Sequence, residues 1–303
     1  MQWIDNIKKE VLSSVRLVAV EERFDLMFSR PAGLLFAKLA ARLSCTPTQI
    51  SIASMLVGIT GGVLFLWQDQ WQIAWLAAFL VILAGVLDST DGQLARMTGQ
   101  STDLGRIIDG IADNLVFISM YLFASIYLFD TYGPWISLGM GTLAGAAHSW
   151  KSAVYEFHKQ EYYYYVGGFR SCRVPLAAEV STTYKRDSLF QKFIYAVYYD
   201  YCKKQEKNAF RPPELRKTFE KIAFDPSKRN RFIELYEVEN KPMLFWWAWV
   251  GGSNVQRNAM IIAMLLNLVE IYFVINALSM LLHWMVGLKQ ISADNNILHD
   301  FDR

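Results

Sequence analysis

The chain has 303 residues, 53% hydrophobic and 19% charged, with a formal net charge of +2 and three cysteines. That balance gives no reason to expect a nucleic-acid partner, and Cys45, Cys172 and Cys202 have neither metal-ligand spacing nor the density of a disulfide framework. The apolar residues gather in blocks, which excludes disorder and argues against a soluble enzyme.

Residues 1–45 read as a cytoplasmic and interfacial segment. A charged helical lead-in lacks the apolar core of a cleavable signal peptide. From Pro31, a short basic amphipathic helix follows, in which Leu34, Leu35, Leu39 and Leu43 alternate with Lys38 and Arg42. Thr46-Pro47 ends it, because proline disfavours helical geometry in the preceding residue. Apolar blocks at 50–67, 73–87, 111–129 and 135–147 then read as four spans. The last block, 260–286, is longer than one span needs. Asn267 and Glu270 interrupt it, so it reads as two short helices turning there, with one long tilted helix as the alternative.

Between spans four and five lies a polar insertion, 153–240. Leu189, Phe193, Val197 and Tyr201 recur there at four-residue spacing, an amphipathic helix suited to dock on the bundle or the bilayer. Pro212-Pro213 marks the start of a second helix. Residues 151–241 carry 18 Lys and Arg against 12 Asp and Glu, a basic excess suited to anionic lipid or phosphate. With six spans, the three opposite turns contain no Lys or Arg, which places the charged side in the cytoplasm. The expected fold is an all-α integral membrane protein, a six-transmembrane-helix bundle with an N-terminal interfacial helix. The whole chain, 1–303, is read as a single membrane domain.

The chemistry concentrates in residues 88–113. Asp88 and Asp91 are three apart on one helix face, and Ala95 continues that face; Asp109 and Asp113 are four apart, with Gly105 one turn before them. Four carboxylates at a membrane boundary cannot all stay ionised without compensation. Divalent cations supply it, and oxygen-only ligands suit Mg²⁺ or Mn²⁺. Gly92, Ala95 and Gly105 leave the helix faces without bulk, so a phosphate-bearing ligand can approach the backbone, and Arg96 can meet a phosphate with paired donors. Arg257, at the start of span five, faces the same end of the bundle and suits an acceptor phosphate, with anchoring as the alternative.

The pattern Asp-x2-Asp-Gly-x2-Ala-Arg-x8-Gly-x3-Asp-x3-Asp over residues 88–113 resembles the signature of the CDP-alcohol phosphotransferases at every fixed position. The run from Thr46 to Ser51 is similar to the family's Thr-Pro-Asn-x-x-Thr/Ser, with Thr48 in place of the asparagine. The resemblance implies transfer of a substituted phosphate from a CDP-linked alcohol to an alcohol or lipid acceptor, with release of CMP and two divalent ions. By position, Asp88, Asp91, Asp109 and Asp113 would be metal ligands, and Asp113 also the base. Gly92, Ala95, Arg96 and Gly105 would contact the CDP moiety. The resemblance also admits a homodimer. Members that handle inositol phosphate tend to have arginine after the last aspartate, where this chain has Asn114. An aspartate-rich intramembrane prenyltransferase and an ion-coupled transporter are the rival readings.

Overall fold

The computed structural model describes residues 17, 20–100, 102–183 and 188–301, and among them every regular element is helical. A π-helical stretch, Asp25–Ser29, leads into α1 (Arg30–Arg42), followed by α2 (Pro47–Val63), α3 (Trp71–Thr98) and α4 (Asp103–Tyr127). After the single turn Phe129–Tyr132 come α5 (Pro134–Tyr165), α6 (Ala177–Thr183), α7 (Leu189–Asn208), α8 (Pro213–Ala223) and α9 (Arg229–Gly251). The chain ends in α10 (Ser253–Leu265), α11 (Val269–Leu278) and α12 (Met280–Phe301). Among the described residues, four stretches are long and apolar enough to cross a membrane: Pro47–Trp67, Trp71–Thr98, Ile107–Tyr127 and Val269–Phe301.

The expected turn near Asn267 is present. α10 stops at Leu265, α11 begins at Val269, and Asn267 between them takes φ 54°, the left-handed conformation that asparagine tolerates better than most side chains. The four tyrosines 162–165 are all buried and serve packing.

The described residues fall into two compact units. The first contains Glu21–Ser149 and Gln256–Leu278. Its helices approach closely because small residues line their contacts. A methyl at Gly58 would sit 2.6 Å from Val116, and one at Gly62 would sit 2.9 Å from the backbone nitrogen of Met120. Helices in lipid gain little from burying one apolar side chain against another, so tight backbone approach supplies much of the attraction. The start of α2 is fixed by a capping box, in which Thr46 Oγ1 accepts from the Gln49 amide and Gln49 Oε1 accepts from the Thr46 amide at 2.9 Å. α1 buries Gly33, Leu34, Ala37 and Ala40, while Leu35, Phe36, Leu39 and Leu43 are exposed.

The second unit contains Trp150–Val255 and residues 279–301. Its aromatic core joins Tyr165, Phe219, Phe232 and Tyr236. Beside that core, Arg211 is fully buried. It donates to Asp294 from Nε at 2.8 Å, to Glu161 and Tyr236 from Nη1 at 2.7 and 2.8 Å, and to Asn240 from Nη2 at 3.0 Å. Arg216 Nε donates to the other Glu161 oxygen at 2.8 Å. Gly251 lets α9 rest on the backbone of Lys151, where a Cβ would lie 2.8 Å from the carbonyl carbon.

Candidate functional site

The site belongs to the first unit and arises where two apolar helices become polar. α3 continues past its membrane-length run through Asp88 and Asp91 and stops at Gly99, whose φ of 69° gives the left-handed C-terminal cap. α4 starts after Thr102, whose side chain accepts from the Gly105 amide at 3.0 Å. Both α3 and α4 pack against α2, and Asp109 comes to the level of Asp88 and Asp91. One oxygen from each of Asp88, Asp91 and Asp109 lies within 4.8 Å of the other two.

Neighbouring helices hold these carboxylates in place. Ser51 Oγ on α2 donates to Asp91 Oδ2 at 2.5 Å, and Ser54 Oγ donates to the Ala84 carbonyl at 2.8 Å. Gln93 Nε2 donates to the Arg30 carbonyl at 3.1 Å and to Ser89 Oγ at 3.2 Å, which fixes α1 on α3. Asp88 has Arg257, Arg30 and Asp25 as charged neighbours. The Arg257 guanidinium lies over Gly85, one turn before Asp88, where a Cβ would come within 2.5 Å of Arg257 Cζ. A side chain there would displace the guanidinium.

The remaining sequence-derived positions sit around this trio. Asp113, one turn beyond Asp109, is exposed and outside the close group, though near enough to influence Asp109 electrostatically. Gly92, Ala95 and Gly105 are half-buried, leaving backbone accessible, and Arg96 is exposed. Arg96 Nη1 folds back over Gly92, 3.4 Å from where a Cβ would stand. Elsewhere in this unit His148 joins a buried network, its Nδ1 3.0 Å from the Tyr121 hydroxyl. The roles of Ser51 and Gly85 escape a reading of the aspartate motif alone. Ser51 closes the Thr-Pro run, but only the packing of α2 on α3 reveals its partner.

Three converging carboxylates with oxygen-only donors fit a divalent cation, because mutual repulsion in a partly buried place is relieved by a cation or by shared protons. The sequence pattern of the CDP-alcohol phosphatidyltransferases matches residues 44–160. The matched segment holds α2, α3, α4 and most of α5, with all four aspartates of the motif.

Curated relatives agree. The chain is 37% identical over 79 residues to the phosphatidylinositol phosphate synthase of Corynebacterium glutamicum, covering 26% of this chain and 35% of that protein. It is 31% identical over 92 residues to the CDP-diacylglycerol–glycerol-3-phosphate 3-phosphatidyltransferase of Cereibacter sphaeroides, covering 30% and 41%. It is 33% identical over 78 residues to the archaetidylinositol phosphate synthase of Pyrococcus horikoshii, covering 26% and 39%. The chain thus spans well under half the length of each of these relatives.

Proposed function

We propose that the protein is a membrane phosphotransferase that moves a substituted phosphate from a CDP-linked alcohol to an alcohol acceptor, releasing CMP, in phospholipid synthesis. The observation that carries this reading is the convergence of Asp88, Asp91 and Asp109 from two helix ends inside the family-matching segment. These three side chains would hold Mg²⁺ or Mn²⁺, two ions in the full site, with Asp113 completing the ligand set. When bound, such ions neutralise charge on the pyrophosphate and its leaving group.

The chain's own groups then divide the remaining work. Gly92, Ala95 and Gly105 let the CDP moiety lie against backbone, and Arg96 meets a phosphate. Ser51 orients Asp91. Asp113 takes the proton of the acceptor hydroxyl, the acceptor oxygen bonds to the phosphorus bearing the donor alcohol, and the pyrophosphate bond breaks to release CMP. Arg257, over Gly85, suits an anionic acceptor group.

The proposed architecture has six spans, adding α5 and α10 to the four apolar stretches, with α1 in the headgroup layer. The active site faces the cytoplasm, the chain serves as one membrane domain with 153–240 as its insertion, and a homodimer is the proposed assembly. The donor is CDP-diacylglycerol with a water-soluble acceptor, or a CDP-linked head group with a lipid acceptor.

The test supplies purified protein with Mn²⁺ or Mg²⁺, CDP-diacylglycerol or CDP-choline, and a panel of alcohols. CMP release together with a phosphodiester identified by mass spectrometry is the expected result. Absence of CMP with every donor overturns the reading, and solute flux across liposomes without CMP identifies a transporter instead.

A further inference from the structure

The second unit presents an apolar stripe that its core does not use. On α7, Leu189 is 83% and Phe193 63% exposed, and Ala196 and Val197 continue the same face. The opposite face is the one that packs: Ile194, Cys202 and Gln205 are buried, and Gln205 Nε2 donates to the Ala153 carbonyl at 2.9 Å. Glu206 accepts from the Ala177 amide at 3.0 Å. The helix is therefore held firmly from behind, and its apolar stripe points outward by construction.

Two observations say what covers that stripe. Beyond Val197, the outward face turns basic: Lys203, Lys204 and Lys207 are exposed there, Lys192 flanks the apolar half, and Asp200 is paired with Lys204 at 2.6 Å. Apolar side chains followed by an excess of lysine complement acyl chains beneath anionic headgroups. The far end of α7 is also tied to a lipid-facing belt. Phe210, two residues past the helix, packs edge-on against Trp284 of α12 with ring centroids 5.2 Å apart. Around Trp284, α12 exposes Leu281, Met285 and Leu288, within a stretch long and apolar enough to cross a membrane.

We propose that α7 is an in-plane anchor that docks on an anionic bilayer surface, with Leu189, Phe193 and Val197 in the acyl boundary and the lysines among phosphate headgroups. The inference needs the membrane placement of α12 but not the phosphotransferase chemistry, so each can fail alone.

The full-length protein carrying p-benzoylphenylalanine in place of Phe193 is reconstituted in nanodiscs of phosphatidylcholine, with or without phosphatidylglycerol, and irradiated. Phospholipid adducts on the 188–208 peptide are expected, several-fold more abundant with phosphatidylglycerol, since a lysine near an anionic surface is worth roughly a five-fold preference. Changing Lys192, Lys203, Lys204 and Lys207 to glutamine is expected to remove that enrichment. Adducts to protein, whether a second copy or another segment, overturn the proposal, as does their absence or an equal yield in both lipids. The same label at Ala196, on the same exposed face, supplies an independent reading should the first position impair folding.

Discussion

Among the described residues, two clusters of ionisable groups are built on opposite rules. In the second unit, Arg211 and Arg216 alternate with Glu161 and Asp294, so each charge meets its opposite through hydrogen bonds. In the first unit, Asp88, Asp91 and Asp109 converge like on like. The first arrangement is complete as it stands and explains itself as structure. The second sets three carboxylates together, with Arg257 and Arg30 as charged neighbours of Asp88, and the repulsion among them suits a divalent cation. Like charge gathered together, more than burial alone, distinguishes the two clusters.

The largest expected effect comes from exchanging the rules. Asp91→Asn should lower CMP release by at least about a thousand-fold, since it removes a proposed cation ligand. The same change should leave the metal-free protein at least as heat-stable as before, because a repulsion is removed. A large loss of thermal stability would make Asp91 a scaffold residue. Arg211→Met should do the reverse, destabilising the second unit by roughly 3–5 kcal/mol because Asp294 is left buried without its guanidinium. Thermal unfolding in detergent measures it, and an unchanged transition would make the network dispensable.

A smaller effect belongs to Ser51. Ser51→Ala removes the donor to Asp91 and should weaken metal-dependent nucleotide binding about 10–100-fold, the usual range for a residue that orients a ligand. Titration of CDP at several Mn²⁺ concentrations would show it, and unchanged affinity would leave Ser51 a packing residue only.

The smallest is a pH effect on α6. Arg173 donates to both oxygens of Glu179 at 2.7 and 3.0 Å and holds that carboxyl below the ordinary glutamate range. The pair's stabilisation is complete above the ordinary carboxylate value and is lost as pH falls through the lower folded value. Hydrogen exchange in 177–183 should therefore rise on acidification in that window. Arg173→Gln should flatten the dependence, and an identical profile in the variant would assign it to another group.

The grouping of Asp88 with Asp91 and Asp109 was legible in the residues because acidic side chains at helical spacing share a face. Asp88 and Asp91 are one turn apart on α3, and Asp109 lies near the start of α4, close behind it in sequence. The break at Asn267 was legible for a similar local reason, since a polar pair interrupts an otherwise apolar run. Less legible was α7. Its four-residue repeat announces an amphipathic helix, yet the repeat does not say which side packs. Leu189 and Phe193 are exposed, whereas Ile194 and Cys202 are buried.

Local chemistry in the chain was therefore enough to set the helical class, the capped helix starts and the acidic motif, because propensity, periodicity and ligand identity are properties of neighbours in sequence. Partnership across distance was decided only by folding. That Ser51 reaches Asp91, that Gly85 makes room for Arg257, and that Arg211 rather than a metal neutralises Glu161 and Asp294 all depend on which helix faces meet. Close packing of whole helices settles those choices, since a side chain finds its partner only after small residues such as Gly58 and Gly62 have let the backbones approach.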